Sequence, residues 1–253
     1  MIALVRSELR KVLTTRSWWI LLLAALAWVA LSLGLAVFAS GLEGGLSRDS
    51  TAYAGSVWTM GASGTLFAML IGIMMVTSEY QHRTINVTFL TSPRRPPVIV
   101  AKVVAAALVS LPFGAVVVGL SSLAAGASIL TGGGGLDLVD NQVPRILVGS
   151  VGAYVAYAVI GVGVGALIRN QVAALVFGIL WVFMLEPLLT VVPQLQDAGR
   201  WLPGGASTAL YDTGLVYGFE ELLPVWVAVL VLVGYAAVAV ALASVTTLRR
   251  DVS

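Results

Sequence analysis

There is no cysteine anywhere in the 253 residues of this chain. A disulfide framework, a thiolate metal site and a cysteine nucleophile are thereby excluded. Histidine occurs once, at position 82, which removes most zinc and di-iron chemistry. Charge is scarce too. Only 10% of the residues are charged, against 59% hydrophobic, and the mean hydropathy is +0.98. No water-soluble globular domain has that balance.

What the chain does have is six long apolar runs, at about 18–39, 54–77, 98–125, 146–168, 172–192 and 225–248. Each contains or approaches the roughly 20 residues that cross a bilayer as a helix. The expected architecture is all-α and polytopic, a single transmembrane domain of six spans over residues 1–253. Residues 1–16 precede the first run as a basic amphipathic segment, with Ile2, Val5, Leu9, Val12 and Leu13 at helical spacing. That pattern suits a helix lying in the membrane interface, and Trp18 and Trp19 follow at headgroup level. The run to Ala39 is too long for a signal-peptide core of roughly 7–15 residues, so it reads as an uncleaved span.

The net charge of +2 is unevenly spread. If the N-terminus is cytoplasmic, 11 of the 14 basic residues fall on the inner side with Glu8, Glu79 and Asp251. The other nine acids fall outside with Arg48, Arg145 and Arg200, giving the two faces +8 and −6. Such a positive-inside bias places both termini in the cytoplasm and requires an even number of spans.

Sequence motifs for chemistry fail on geometry. Gly61-Ala62-Ser63-Gly64 matches the GxSG of intramembrane serine proteases. Its only histidine base would be His82, roughly 28 Å away along one helix, so small residues for helix packing are the better account. Glu79-x-x-His82 is half of a di-iron ligand set with no second histidine to complete it. Gly161-Val162-Gly163-Val164-Gly165 lies inside an apolar run with no strand before it, which fits a tight helix crossing rather than a nucleotide loop. Gly132–Gly135 lacks the Lys-Ser/Thr of a phosphate loop and reads as a flexible linker. No nucleotide site, cofactor site, metal site or catalytic group is expected in this chain.

Two polar interruptions stand out. Residues 79–91 read as a short amphipathic helix stopped by Pro93, Pro96 and Pro97. Its polar face carries Glu79, His82, Arg83, Asn86 and Thr88, beside Tyr80. Such a helix either rests on lipid headgroups or docks a soluble partner. The second is 193–224, about thirty residues mixing Leu195, Trp201, Leu202 and Leu210 with glycines. That is long for a structureless connector, so short helices, re-entrant at the outer end, are expected. Just before it, Glu186 is the one acid within a span, fourteen residues from Val172 and so roughly 21 Å along the helix. Either the span ends at Leu185 and the acid is solvated, or Glu186 lines a path and meets a cationic or polar part of a substrate.

The residues Ser78-Glu79-Tyr80-Gln81-His82-Arg83-Thr84-Ile85, then Leu90-Thr91-Ser92-Pro93-Arg94-Arg95 and Ala101-Lys102, resemble the first cytoplasmic loop of ABC-2 type transporter permeases. Arg83 stands where many members have glycine. Leu4-Val5-Arg6-Ser7-Glu8-Leu9-Arg10-Lys11 with Thr15-Arg16-Ser17 is similar to that family's elbow helix, and Trp201-Leu202-Pro203-Gly204-Gly205 to its outer segment before the last span. The resemblance implies a permease subunit of a bacterial plasma-membrane exporter. It implies pairing with a second permease, identical or paralogous, above two separate ATPase subunits that bring ATP and Mg. The 79–91 segment would be the coupling helix, with Glu79, Tyr80, His82, Arg83, Asn86 and Thr88 contacting the ATPase. No nucleic acid is implied. A secondary transporter, or a non-transporting membrane anchor or sensor subunit, are the alternative readings.

Overall fold

A computed structural model describes residues 1–82, 95–139, 142–212 and 222–249. No strand occurs among them. The helices are α1 (Ile2–Thr14), α2 (Ser17–Ala39), α3 (Thr51–Thr59), α4 (Thr65–Gln81), α5 (Arg95–Thr131) and α6 (Val143–Ile168). They continue with α7 (Gln171–Leu180), α8 (Glu186–Val191), α9 (Gln196–Gly199), α10 (Pro203–Tyr211) and α11 (Val225–Arg249).

Five stretches of the described residues are long and apolar enough to cross a bilayer: Ser17–Ala39, Thr51–Gln81, Pro97–Thr131, Val143–Ile168 and Gln171–Leu189. The sixth expected run is helical within α11, where Val225–Ala239 is a shorter apolar stretch. Two spans end later in the chain than expected. The second span runs on to Gln81 instead of stopping at Thr77, and the third continues to Thr131. For the second span, hydropathy stops short of Glu79, whereas the helix continues because that charge finds partners.

In α1 the amphipathic stripe is narrower than its spacing suggests. Val5, Leu9 and Val12 pack against the main core with Trp18, while Ile2 and Leu13 stay exposed. The body of the bundle is α4 against α6, its most extensive helix pairing. Small residues permit it. A Cβ at Gly161 would run into the carbonyl oxygen of Met69, and one at Gly72 into that of Ala158. At Gly165 it would lie 2.7 Å from the Ile73 oxygen. Glycine is needed on both helices because the obstacle is backbone, which no rotamer can move. Gly161→Leu is therefore expected to pry α4 from α6 and abolish a monodisperse detergent-solubilised species, read by size-exclusion chromatography. A wild-type elution profile would contradict the tight crossing.

The Gly61–Gly64 motif lies in the 3-10 segment Met60–Gly64 that joins α3 to α4. Tyr154 donates from its hydroxyl to the Gly61 carbonyl at 2.8 Å. A Cβ at Gly64 would strike that same hydroxyl. The motif is thus a seat for a tyrosine from α6, and helix α4 separates Ser63 from His82.

Candidate functional site

At the end of the bundle that carries the N-terminus, four charged side chains from three helices converge. Glu8 and Lys11 sit one turn apart on α1, Glu79 lies in the last turn of α4, and Lys102 lies two turns into α5. Lys11 Nζ donates to Glu8 Oε1 and Glu79 Oε1, both at 2.6 Å. Lys102 Nζ reaches Glu8 Oε2 at 2.7 Å and Glu79 Oε1 at 2.8 Å, and also donates to the Met75 carbonyl at 3.0 Å. Glu8, Glu79 and Lys102 are about 5% exposed, and only Lys11 reaches solvent, at 46%. Two acids against two bases make the cluster neutral, which is what allows it to be buried. Burial draws the Lys11 pKa down, but its hydrogen bonds to Glu79 and Glu8 outweigh that and hold it above the ordinary lysine value. Lys11 therefore contributes fully below the ordinary lysine range and loses its contribution only as pH rises through its own raised value.

This cluster ties α1 to the last turn of α4 and to the first turns of α5. Glu79 turns inward, its carboxylate on two lysines, and its Oε2 has no hydrogen-bond partner among the described residues. Tyr80 is half-buried, with the Arg169 guanidinium 5.5 Å from its ring centroid. Arg169 itself has a left-handed backbone (φ 56°) that closes α6. His82 is exposed. Arg83, Asn86 and Thr88 lie outside the described residues.

At the opposite end, Glu186 is half-buried and held by hydrogen bonds rather than free in solvent, because the helix does not end at Leu185. Pro187 has no N–H and its ring crowds the preceding turn. The chain accommodates it by widening residues 181–185 into a π turn, in which the Glu186 N–H bonds the Trp181 carbonyl five residues back. That turn aims the carboxylate inward. Glu186 Oε1 accepts from Trp181 Nε1 at 2.7 Å and from the Gly204 N–H at 2.9 Å, and Oε2 accepts from the Tyr157 hydroxyl at 2.9 Å.

The Gly204 contact explains the short helix α10. Its cap residue Leu202 offers no side-chain acceptor, so Glu186 caps the positive helix terminus from another element. Arg145 attends the other end, donating to the Ala209 and Asp212 carbonyls at 3.2 and 3.3 Å. Charges of the favourable sign thus hold both ends of α10, whose residues Gly205–Tyr211 are all buried. Of the expected short helices between 193 and 224, α9 and α10 are present, and residues 213–221 lie outside the described region.

Between Glu186 and α4 is a cavity of about 250 Å³. Trp28, Ser63, Tyr157, Phe183 and Tyr211 line it beside the carboxylate. The sequence carried a signal for the first cluster: Glu8 and Glu79 are two of only three acids on the basic side. For Tyr157, Trp181 and Gly204 as partners of Glu186 it carried none.

These features define an all-helical, multi-pass membrane protein with a buried charge cluster at one end of its bundle and a half-buried, hydrogen-bonded carboxylate at the other. The model of a protein family described as "ABC-2 family transporter protein" matches residues 4–185. The chain belongs to that family. It is accordingly a membrane permease component of an ABC transporter, a class that works with an ABC ATPase. The match covers most of α1, the whole charge cluster and the five candidate spans up to residue 185, and stops just before Glu186. No curated protein matches the chain significantly.

Proposed function

We propose that this chain is the membrane-spanning permease subunit of an ATP-driven exporter. It has six spans with both termini in the cytoplasm of a bacterial plasma membrane, and it pairs with a second permease, identical or paralogous. Two separate ATPase subunits supply ATP and Mg, and the chain itself has neither catalytic nor cofactor sites. The observation that carries the coupling part of this reading is the buried charge cluster. It locks the elbow helix α1 onto the end of α4 and the start of α5, the helices that flank residues 83–94 in the chain.

A push by a partner on the segment between α4 and α5 would be passed to α1, α4 and α5 together, because a neutral, buried cluster resists being pulled apart. In this reading His82, Arg83, Asn86 and Thr88 form the contact surface for the ATPase. Tyr80 and Glu79 work from beneath, Tyr80 braced by Arg169 and Glu79 fastened to the lysines. Glu186 lines the outer part of the substrate path.

The test is reconstitution with the cognate ATPase. A His82→Glu, Arg83→Glu double variant leaves Glu79 and its partners untouched. It is expected to insert normally but to lose at least about tenfold in ATP-driven transport while the ATPase still turns over. Unchanged coupled transport would overturn the docking role. Transport driven by an ion gradient without the ATPase would favour a secondary transporter, and no transport under either condition an anchor or sensor subunit.

A further inference from the structure

The cavity beside Glu186 is bounded by α2, α4, α6, the π turn and α10, and its chemistry is specific. A carboxylate offers about four acceptor positions, of which Trp181, Gly204 and Tyr157 occupy three. Among the described residues no Lys, Arg or His forms an ion pair with it. The carboxylate is therefore hydrogen-bonded but has no ion-pair partner among the described residues. Around it stand aromatic walls: Trp28 and Phe183 meet edge to face at 5.0 Å, with Tyr157 and Tyr211 on the far side. Aromatic faces add attraction for a cation placed between them.

A fitting ligand therefore brings a positive charge to Glu186. At about 250 Å³ the space is smaller than the roughly 300–1,000 Å³ of pockets that engulf drug-sized molecules. It takes a head group and leaves an apolar body among the exposed side chains of the surrounding helices.

We propose that this cavity is a binding site for the ammonium head of an amphiphile. The proposal gives a substrate class to the permease reading and rests on that reading only for the word substrate, since binding itself requires neither ATP nor a partner. Two sources supply this chemistry: an amine-bearing compound in transit, and the amino head group of a membrane lipid.

The probe is radiolabelled dodecylammonium, with dodecanol as its uncharged counterpart, bound to the full chain in phosphatidylglycerol nanodiscs and corrected for empty discs. Saturable binding of the ammonium but not of the alcohol is expected. Glu186→Gln keeps an acceptor oxygen for α10 and should weaken ammonium binding by at least about tenfold, the scale of a hydrogen bond to a charged group. Ser63→Leu fills the cavity without altering the carboxylate and should abolish binding, which keeps the proposal testable if the first variant is unstable. Repeating the titration in phosphatidylethanolamine discs separates the sources. Competition there assigns the site to the lipid amine, and undiminished binding assigns it to a compound in transit. Equal binding of ammonium and alcohol, or equal ammonium affinity in wild type and both variants, would overturn the proposal and leave a hydrated cavity only. Loss of transport in the His82/Arg83 variant with ammonium binding intact keeps this result separate from the fate of the coupling model.

Discussion

Lys102→Ala is expected to destabilise the protein by about 3–5 kcal/mol, the usual effect of removing one partner from a buried ion pair. Lys102 is 4% exposed and faces two carboxylates that are 5% and 6% exposed. Without it, Glu8 and Glu79 share only Lys11, and the pair carries an uncompensated buried charge. For a chain of this length the loss corresponds to a fall in midpoint of roughly 6–20 °C, measurable by thermal unfolding of the detergent-solubilised protein. A second variant separates fold from function. Glu8→Leu, Glu79→Leu and Lys102→Met together remove the buried charges and keep the volume, an exchange that is often neutral or stabilising. That triple variant is expected to recover the midpoint but to transmit the ATPase stroke poorly, since apolar packing slides where ion pairs hold register. Wild-type stability in Lys102→Ala would show that the cluster is solvated and carries no such role.

Glu186→Ala is expected to cost about 2–4 kcal/mol, because it takes the carboxylate acceptor from the buried Tyr157 hydroxyl and removes the cap of α10, deleting three hydrogen bonds. The loss should be local as well as global. Amide exchange over residues 203–211 is expected to accelerate more than over α4 or α6, since Glu186 and Arg145 are what hold α10 at its ends. Glu186→Gln should retain most of that protection. If export by the Gln variant is unchanged across the physiological pH range, Glu186 is a tether for α10 and not a substrate contact. If exchange at 203–211 does not change in the Ala variant, the cap is not what secures that helix. Gly204 bears on the same contact from the other side. A Cβ there would stand 2.5 Å from Glu186 Oε2, so the close approach of carboxylate and backbone depends on glycine.

Much of the architecture was legible because bilayer solvation acts on composition. A segment such as Ser17–Ala39, apolar all round, has few alternatives to a spanning helix. The same holds for the close packing of Gly161 and Gly165, where 3.6-residue periodicity alone puts both glycines on one face. What misled was charge. Glu79 reads as a polar-face residue of a surface helix, because a sequence displays its charge and not its partners. Lys102 lies 23 positions further on and Lys11 belongs to another helix, so nothing local reveals that all three meet.

Glu186 shows the same division. Its position in an apolar run, next to a proline, marked it as unusual on sequence alone. The three donors that hold it come from positions 157, 181 and 204, brought together by a π turn that no periodicity announces. The sequence by itself determined the medium, the helical class and the uneven distribution of charge, because each follows from local transfer energies summed along a run. Only the tertiary structure decided which charges are buried and what they hold. Neutralising a carboxylate in a low-dielectric interior requires donors at hydrogen-bond distance, and that distance is set by how α1, α4, α5, α6 and α10 cross.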